Sequence, residues 1–155
     1  MVVIRRRHKA LTLVIFAIYL MVLFYFLFFS EMMGRTGEGC FEVNLVPFQE
    51  IRRFWALLQY PQWRVAAFLN LAGNILIFMP FGGLLALLMH PRERWYLITL
   101  LSLELSLIVE LIQLGARIGC FDVDDLILNT AGGLLGYWAY KLWKRFYPGK
   151  KPGRT

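Results

Sequence analysis

Nine polar side chains stand inside or at the rim of stretches that are otherwise apolar: Asn70, Asn74, Glu110, Gln113, Arg117, Asp122, Asp124, Asp125 and Asn129. Asn70 and Asn74 are four residues apart, and Glu110 and Gln113 three, so each pair shares one face of a helix. Asp125, Asn129, Gly132, Gly133 and Gly136 line a stripe on a further helix. Its Gly132-x-x-x-Gly136 spacing permits close helix contact. A carboxylate at the centre of a bilayer costs roughly 3 kcal/mol or more, so these groups are expected to face protein or water. Counted from the ends of their helices, Asn70 and Asn74 lie roughly 8 and 14 Å deep, and Glu110 and Gln113 within roughly 6 Å. All fall in one half of the membrane, which predicts a polar pocket opening outward.

The chemistry open to such a cluster is limited. Carboxylates act as general acid or base where burial raises a pKa, and oxygen ligands suit a divalent cation. The loop around Asp122 does not fit the twelve-residue calcium pattern, and no cofactor is called for. A serine–histidine triad is improbable, because His8 lies in a basic tail and His90 in a turn on the other side. Each polar group also has a structural reading. Asn70, Asn74 and Asn129 can bond across helices, and Glu110 can pair with Arg117. One aspartate of Asp122, Asp124 and Asp125 suffices to cap a helix, so the surplus points to function. Glu104 sits about half a turn around from Gln113; another helix interface or a homo-oligomer contact is its expected partner.

These residues need helices to hold them. The 155-residue chain is 59% hydrophobic and only 17% charged, against about a quarter charged in soluble domains. Four stretches are long enough to cross about 30 Å of hydrocarbon: Ala10 to Ser30, Val65 to Met89, Trp95 to Leu114, and about Asp125 to Phe146. The first follows Arg5 to Lys9, is too long for a cleaved signal peptide and has no clear cleavage site, so a retained signal anchor is expected. Pro80 should kink the second; Gly82 and Gly83 follow it. Between the first two spans, Pro47 suits a helix start and Glu50 its first turn. Ile51, Phe54, Trp55 and Leu58 then predict an amphipathic helix, lying on the outer surface or forming a lid. The fold class expected is all-α: a polytopic membrane helical bundle of four transmembrane helices plus an outer-surface amphipathic helix. Residues 1–9 and 148–155 form basic tails around a transmembrane domain at 10–147.

With the N-terminus inside, the short inner segments hold 12 of the 17 Lys and Arg residues, as the positive-inside rule requires. Both termini are therefore expected in the cytoplasm. The net charge of +7 belongs to this pattern, and no nucleic-acid motif accompanies it. Membrane lipids are the expected partners. Cys40 and Cys120 both fall outside, where a disulfide is permitted; two unlinked small residues near the rim are the preferred reading.

Several segments resemble the VanZ-like family of teicoplanin resistance protein-like membrane proteins. They are Asn44 to Phe48, Asn70 to Gly82, Glu110 to Gln113, Arg117, and Phe121 to Gly133. The resemblance runs from about Asn44 to Tyr140. It implies a small bacterial multi-pass membrane protein with a cell-envelope role, in a family whose founding member is associated with low-level resistance to the glycopeptide teicoplanin. It does not hand over a reaction. Two classes of function remain. One is a non-enzymatic protein that binds a lipid-linked cell-wall precursor or related ligand and alters glycopeptide susceptibility. The other is a membrane enzyme using Glu110, Asp122 or Asp125 as acid or base. A transporter would need to oligomerise, since no inverted repeat is visible.

Overall fold

The computed structural model describes residues 2–34, 43–90, 92–117 and 120–146, with side chains of the first helix described at 9–28. Five helices follow in the order α1 (Val2–Gly34), α2 (Gln49–Leu57), α3 (Pro61–Met89), α4 (Trp95–Gly115) and α5 (Val123–Phe146). Two strands of two residues each, β1 (Val43–Asn44) and β2 (Phe121–Asp122), pair in parallel, with Val43 opposite Phe121 and Asn44 opposite Asp122. This ladder departs from the all-α expectation; two residues are too few to leave a period-two pattern in a sequence.

The long helices form where the apolar runs predict them, with shifted ends. α3 begins at Pro61 because proline fits the first helical position, where no N–H is needed. α1, α3 and α4 are each long and apolar enough to cross a membrane. α5 has comparable length, 24 residues, but carries Asp124 and Asp125 in its first turn and Lys144 and Arg145 in its last. The outward faces are apolar: Leu13, Ile18 and Met21 on α1, Val65 and Leu69 on α3, and Leu111 on α4 are all exposed. Such continuous apolar surface suits lipid, not water.

Contacts fix the relative directions. Ile75 lies against Gly132, and Met79 against Gly136, so α3 and α5 run parallel. α4 runs antiparallel to α5, with Ser102 beside Gly133 and Ser106 beside Asn129. α1 runs antiparallel to α3, through Phe16 on Phe81 and Tyr19 on Ile77. The α3–α5 seam is made of backbone. A methyl group on Gly82 would overlap the Gly133 carbonyl oxygen, and one on Gly136 the Met79 carbonyl oxygen.

Pro80 is exposed, and α3 continues helical through it. The Tyr19 hydroxyl donates to the Ile77 carbonyl at 2.6 Å. The carbonyl that loses its helical donor at Pro80 is that of Leu76, the residue before Ile77. At the opposite end of the bundle from Asp122, Ala86, Ile98, Tyr137 and Tyr140 form an apolar core. Beside it, Glu93 accepts from Lys141 at 3.1 Å and Lys144 at 3.3 Å, and faces His90 at 3.2 Å. Its side chain is only 3% exposed. Burial raises the Glu93 pKa, but its hydrogen bonds, including those to Lys141, His90 and Lys144, outweigh that and bring it down to about 2.

Two expectations follow. Gly82→Val should destabilise the fold by about 1–3 kcal/mol through overpacking, whereas Gly73→Ala, which meets nothing within 4 Å, should be neutral or slightly stabilising; thermal unfolding in detergent checks both. The folded pKa of Glu93 is depressed, so its stabilisation is full above the unfolded value of about 4.3 and is lost as pH falls through about 2. Unfolding temperatures measured from pH 6 down to pH 3 should therefore decline more steeply in the native protein than in Glu93→Gln.

Candidate functional site

The polar residues gather where α4 ends and α5 begins, against the middle of α3, where Asn74 lies. Asp122 is the N-cap of α5: its Oδ1 accepts the Asp124 backbone N–H at 2.8 Å. The same oxygen accepts the Asn44 side-chain amide at 3.1 Å, which locks the two-stranded ladder. The Asp122 backbone N–H donates to Glu110 Oε2 at 3.1 Å. Glu110 is 3% exposed, so α4 presents its carboxylate inward, to the start of α5.

Asp124 is 1% exposed. It accepts three backbone N–H groups at the start of α2, those of Phe48 at 2.5 Å, Glu50 at 2.7 Å and Ile51 at 3.0 Å. A free helix N-terminus attracts negative charge, and here the charge comes from a different helix. Phe48 takes a left-handed φ of 66°, at a cost of roughly 1–2 kcal/mol that the charge-assisted bonds to Asp124 offset. Pro47 therefore sits in the turn before α2 and does not open the helix. Asp125 accepts the Asn74 amide at 2.5 Å. The three aspartates thus hold three different elements: a strand, α2 and α3.

The remaining members are spread more widely. Asn129 donates to Ser106 Oγ at 2.9 Å, while its Oδ1 is buried with no hydrogen-bond partner among the described residues. Gln113 donates to the Leu27 carbonyl of α1 at 3.3 Å. Asn70 is half-buried one turn from Asn74 and makes no hydrogen bond to the described residues. Arg117 is exposed beyond the end of α4, with a positive φ of 58°. Sequence reading missed Asn44 and Ser106. Ser106 could have been found, since Ser102, Ser106, Glu110 and Gln113 recur at spacings of three and four on one face of α4.

Charge crowding shapes the electrostatics. Burial pushes Asp122 above the ordinary carboxylate range and the Asp124 charge adds to it, against the pull of the Asp124 backbone N–H and the Asn44 amide. Burial also raises Glu50, opposed by Arg53 at 3.0 Å and reinforced by Asp122 and Asp124. Among the described residues, no three His, Cys, Asp or Glu side chains converge as metal ligands. Unlinked cysteines were expected, but Cys120 is disulfide-bonded; Cys40 lies outside the described residues. On α2, Ile51, Phe54, Leu57 and Leu58 are partly buried while Trp55 is 72% exposed. The inward arc is thus turned toward Leu57, and Trp55 leaves the expected stripe.

An apolar groove of about 400 Å³ runs along α4 and α5, lined by Leu103, Val123, Leu126, Ile127, Thr130, Ala131 and Leu134. Leu103 and Glu110 are seven residues apart and share a face of α4. Val123 directly follows Asp122. The groove therefore leads up to the Glu110–Asp122 contact.

Asp124→Ala should free α2 locally and leave the bundle intact. Hydrogen exchange at the Phe48, Glu50 and Ile51 amides is expected to rise about tenfold or more, since losing charged caps costs about 1–2 kcal/mol or more. Amides of α3 and α5 should keep their protection.

The model of the VanZ/LLP1 family matches residues 16–144. Protein VanZ of Enterococcus faecium is 38% identical over 89 residues, which cover 57% of this chain and 54% of that protein. The chain thus spans about half the length of the curated relative it matches. No solved structure matches the chain.

Proposed function

The chain belongs to the VanZ/LLP1 family, and from that premise we propose that it is a four-span bacterial membrane protein that binds a lipid-linked cell-wall precursor or a related envelope lipid. Three spans follow from length and composition. The case for α5 as the fourth is that it lies along α3 and antiparallel to α4 from Asn74–Asp125 at one end to Ile98 and Tyr140 at the other. Along α3, α5 covers only the half from Asn74 onward, but along α4 it packs from Glu110 to Ile98, most of a helix long and apolar enough to span, which supports a comparable thickness. Its charges sit at its two ends, where water or headgroups receive them. The Lys and Arg distribution supports both termini in the cytoplasm and the cluster at the outer surface, with α2 beside it.

One observation carries the ligand assignment: an apolar groove whose lining residue Val123 adjoins the Glu110–Asp122 contact. A hydrocarbon chain fits the groove between α4 and α5, and a polar head fits its upper end. Sugar hydroxyls or amino groups suit the carboxylates of Glu110 and Asp122, beside that end of the groove. Arg53 and Arg117, both exposed, are the kind of donor that acidic parts of the same head would meet, Arg53 in competition with its pairing to Glu50. By occupying a precursor on which glycopeptides act, such a protein alters glycopeptide susceptibility.

The experiment is binding of a fluorescent lipid-linked cell-wall precursor to the protein in nanodiscs. Glu110→Gln keeps an acceptor for the Asp122 N–H but removes the charge. Ala131→Trp fills the groove. Each should weaken binding about tenfold, the scale of one lost charged hydrogen bond. Unchanged affinity in both variants, with helicity intact, would remove the assignment. A hydrolysed or transferred product in the mass spectrum would reassign the cluster as catalytic.

A further inference from the structure

We propose that the outward face of α4 is a contact surface for a second copy of this chain, with the Glu104 side chains of the two copies meeting at a two-fold axis. Ile98, Ser102, Ser106, Val109, Glu110 and Gln113 are the buried residues of α4 and mark its inward side. At 100° per residue, Glu104 lies about 180° from their centre. It is exposed and makes no hydrogen bond or ion pair with the described residues. It also stands far from either end of the helix, about 14 Å from Trp95 and about 17 Å from Gly115 at 1.5 Å per residue. A glutamate side chain does not reach headgroups from there, and a carboxyl at that depth requires a polar partner.

The residues around it say what that partner is. Leu97, Leu100, Glu104, Leu107, Leu111 and Leu114 follow one another at spacings of three, four, three, four and three. That is a heptad seam, and it lies on the same outward side; Leu100 is 50% and Leu111 53% exposed. That spacing lets a second α4 pack its own seam against this one, with Glu104 as the position that sets it apart from the other apolar rows of the helix. A single polar residue in an otherwise leucine seam fixes register and partner number. Two copies inserted in the same sense present their α4 helices parallel, so a two-fold axis brings each seam position onto itself. Glu104 is the one polar side chain among these seam positions, and at such an axis the other copy's Glu104 is the polar group within its hydrogen-bonding reach. Association of helices in lipid is driven by packing and such hydrogen bonds.

Cross-linking of the full chain in membranes tests this. Leu107→Cys should give a disulfide-linked dimer, whereas Ile112→Cys, 43% exposed but about 110° around from the seam, should not. In liposomes, single-molecule bleaching should count two copies. Glu104→Ala should weaken dimerisation about tenfold, and Glu104→Gln, which keeps a donor and an acceptor, should retain it. The proposal is overturned by one bleaching step at every protein-to-lipid ratio. Equal cross-linking at 107 and 112, adducts only with another protein, or undiminished dimers in Glu104→Ala also overturn it.

Discussion

Hydrocarbon rewards the burial of a leucine no more than its exposure, so a bundle in lipid must be held together by something else. Here that is direct backbone contact. α3 and α5 approach until the carbonyls of Met79 and Gly133 touch the α-carbons of Gly136 and Gly82. Dispersion and weak Cα–H···O contacts act at that separation, and no side chain intervenes. Everything else follows from this seam. It sets α5 parallel to α3, sends α4 back along them with Ser102 against Gly133, and brings the start of α5 level with Asn74, midway along α3. The polar cluster exists because the starts of α2 and α5 and the end of α4 converge there.

Within that cluster, structural and functional demands overlap. Asp124 neutralises the first amides of α2, Asp122 caps α5 and clips a strand, and Asp125 holds Asn74. Each bond costs nothing in ligand capacity until its oxygens are fully engaged. Asn70 and the Oδ1 of Asn129 keep hydrogen-bonding capacity that the described fold does not use. A buried polar atom without a partner is unusual in a native protein, and it marks the inner part of the cluster as the region where an incoming polar group gains most.

Much of this was legible in the sequence, and the reasons are specific. Runs such as Ala10 to Ser30 and Trp95 to Leu114 announce their helices because nothing but a lipid-facing helix needs so many apolar residues in a row. The glycine stripe of α5 was readable from spacings of three and four, and so was the face that Asn70 and Asn74 share, though not the bond from Asn74 to Asp125. The two-residue ladder was not, because Val43–Asn44 and Phe121–Asp122 carry too few residues for a period. Nor was the partner of Asp124. An aspartate beside a helix start reads locally as a cap for that helix, and only the tertiary fold brings the start of α2 to it. Trp55 was misassigned for a related reason: its helix is rotated by its anchor at Asp124 and its packing on α3, and helical spacing alone does not choose between neighbouring arcs.

The fastening of α2 also orders events during synthesis. Its three bonds to Asp124 span 73 to 76 positions in the chain, and the Asn44–Asp122 bond spans 78. When the segment before α3 leaves the ribosome, the residues that will hold it have not yet been made. It must wait, with its first amides unsatisfied, until the last helix has entered the membrane. The outer segment is therefore the last part of the molecule to settle, and a nascent chain cut short before residue 122 has no means of fixing it.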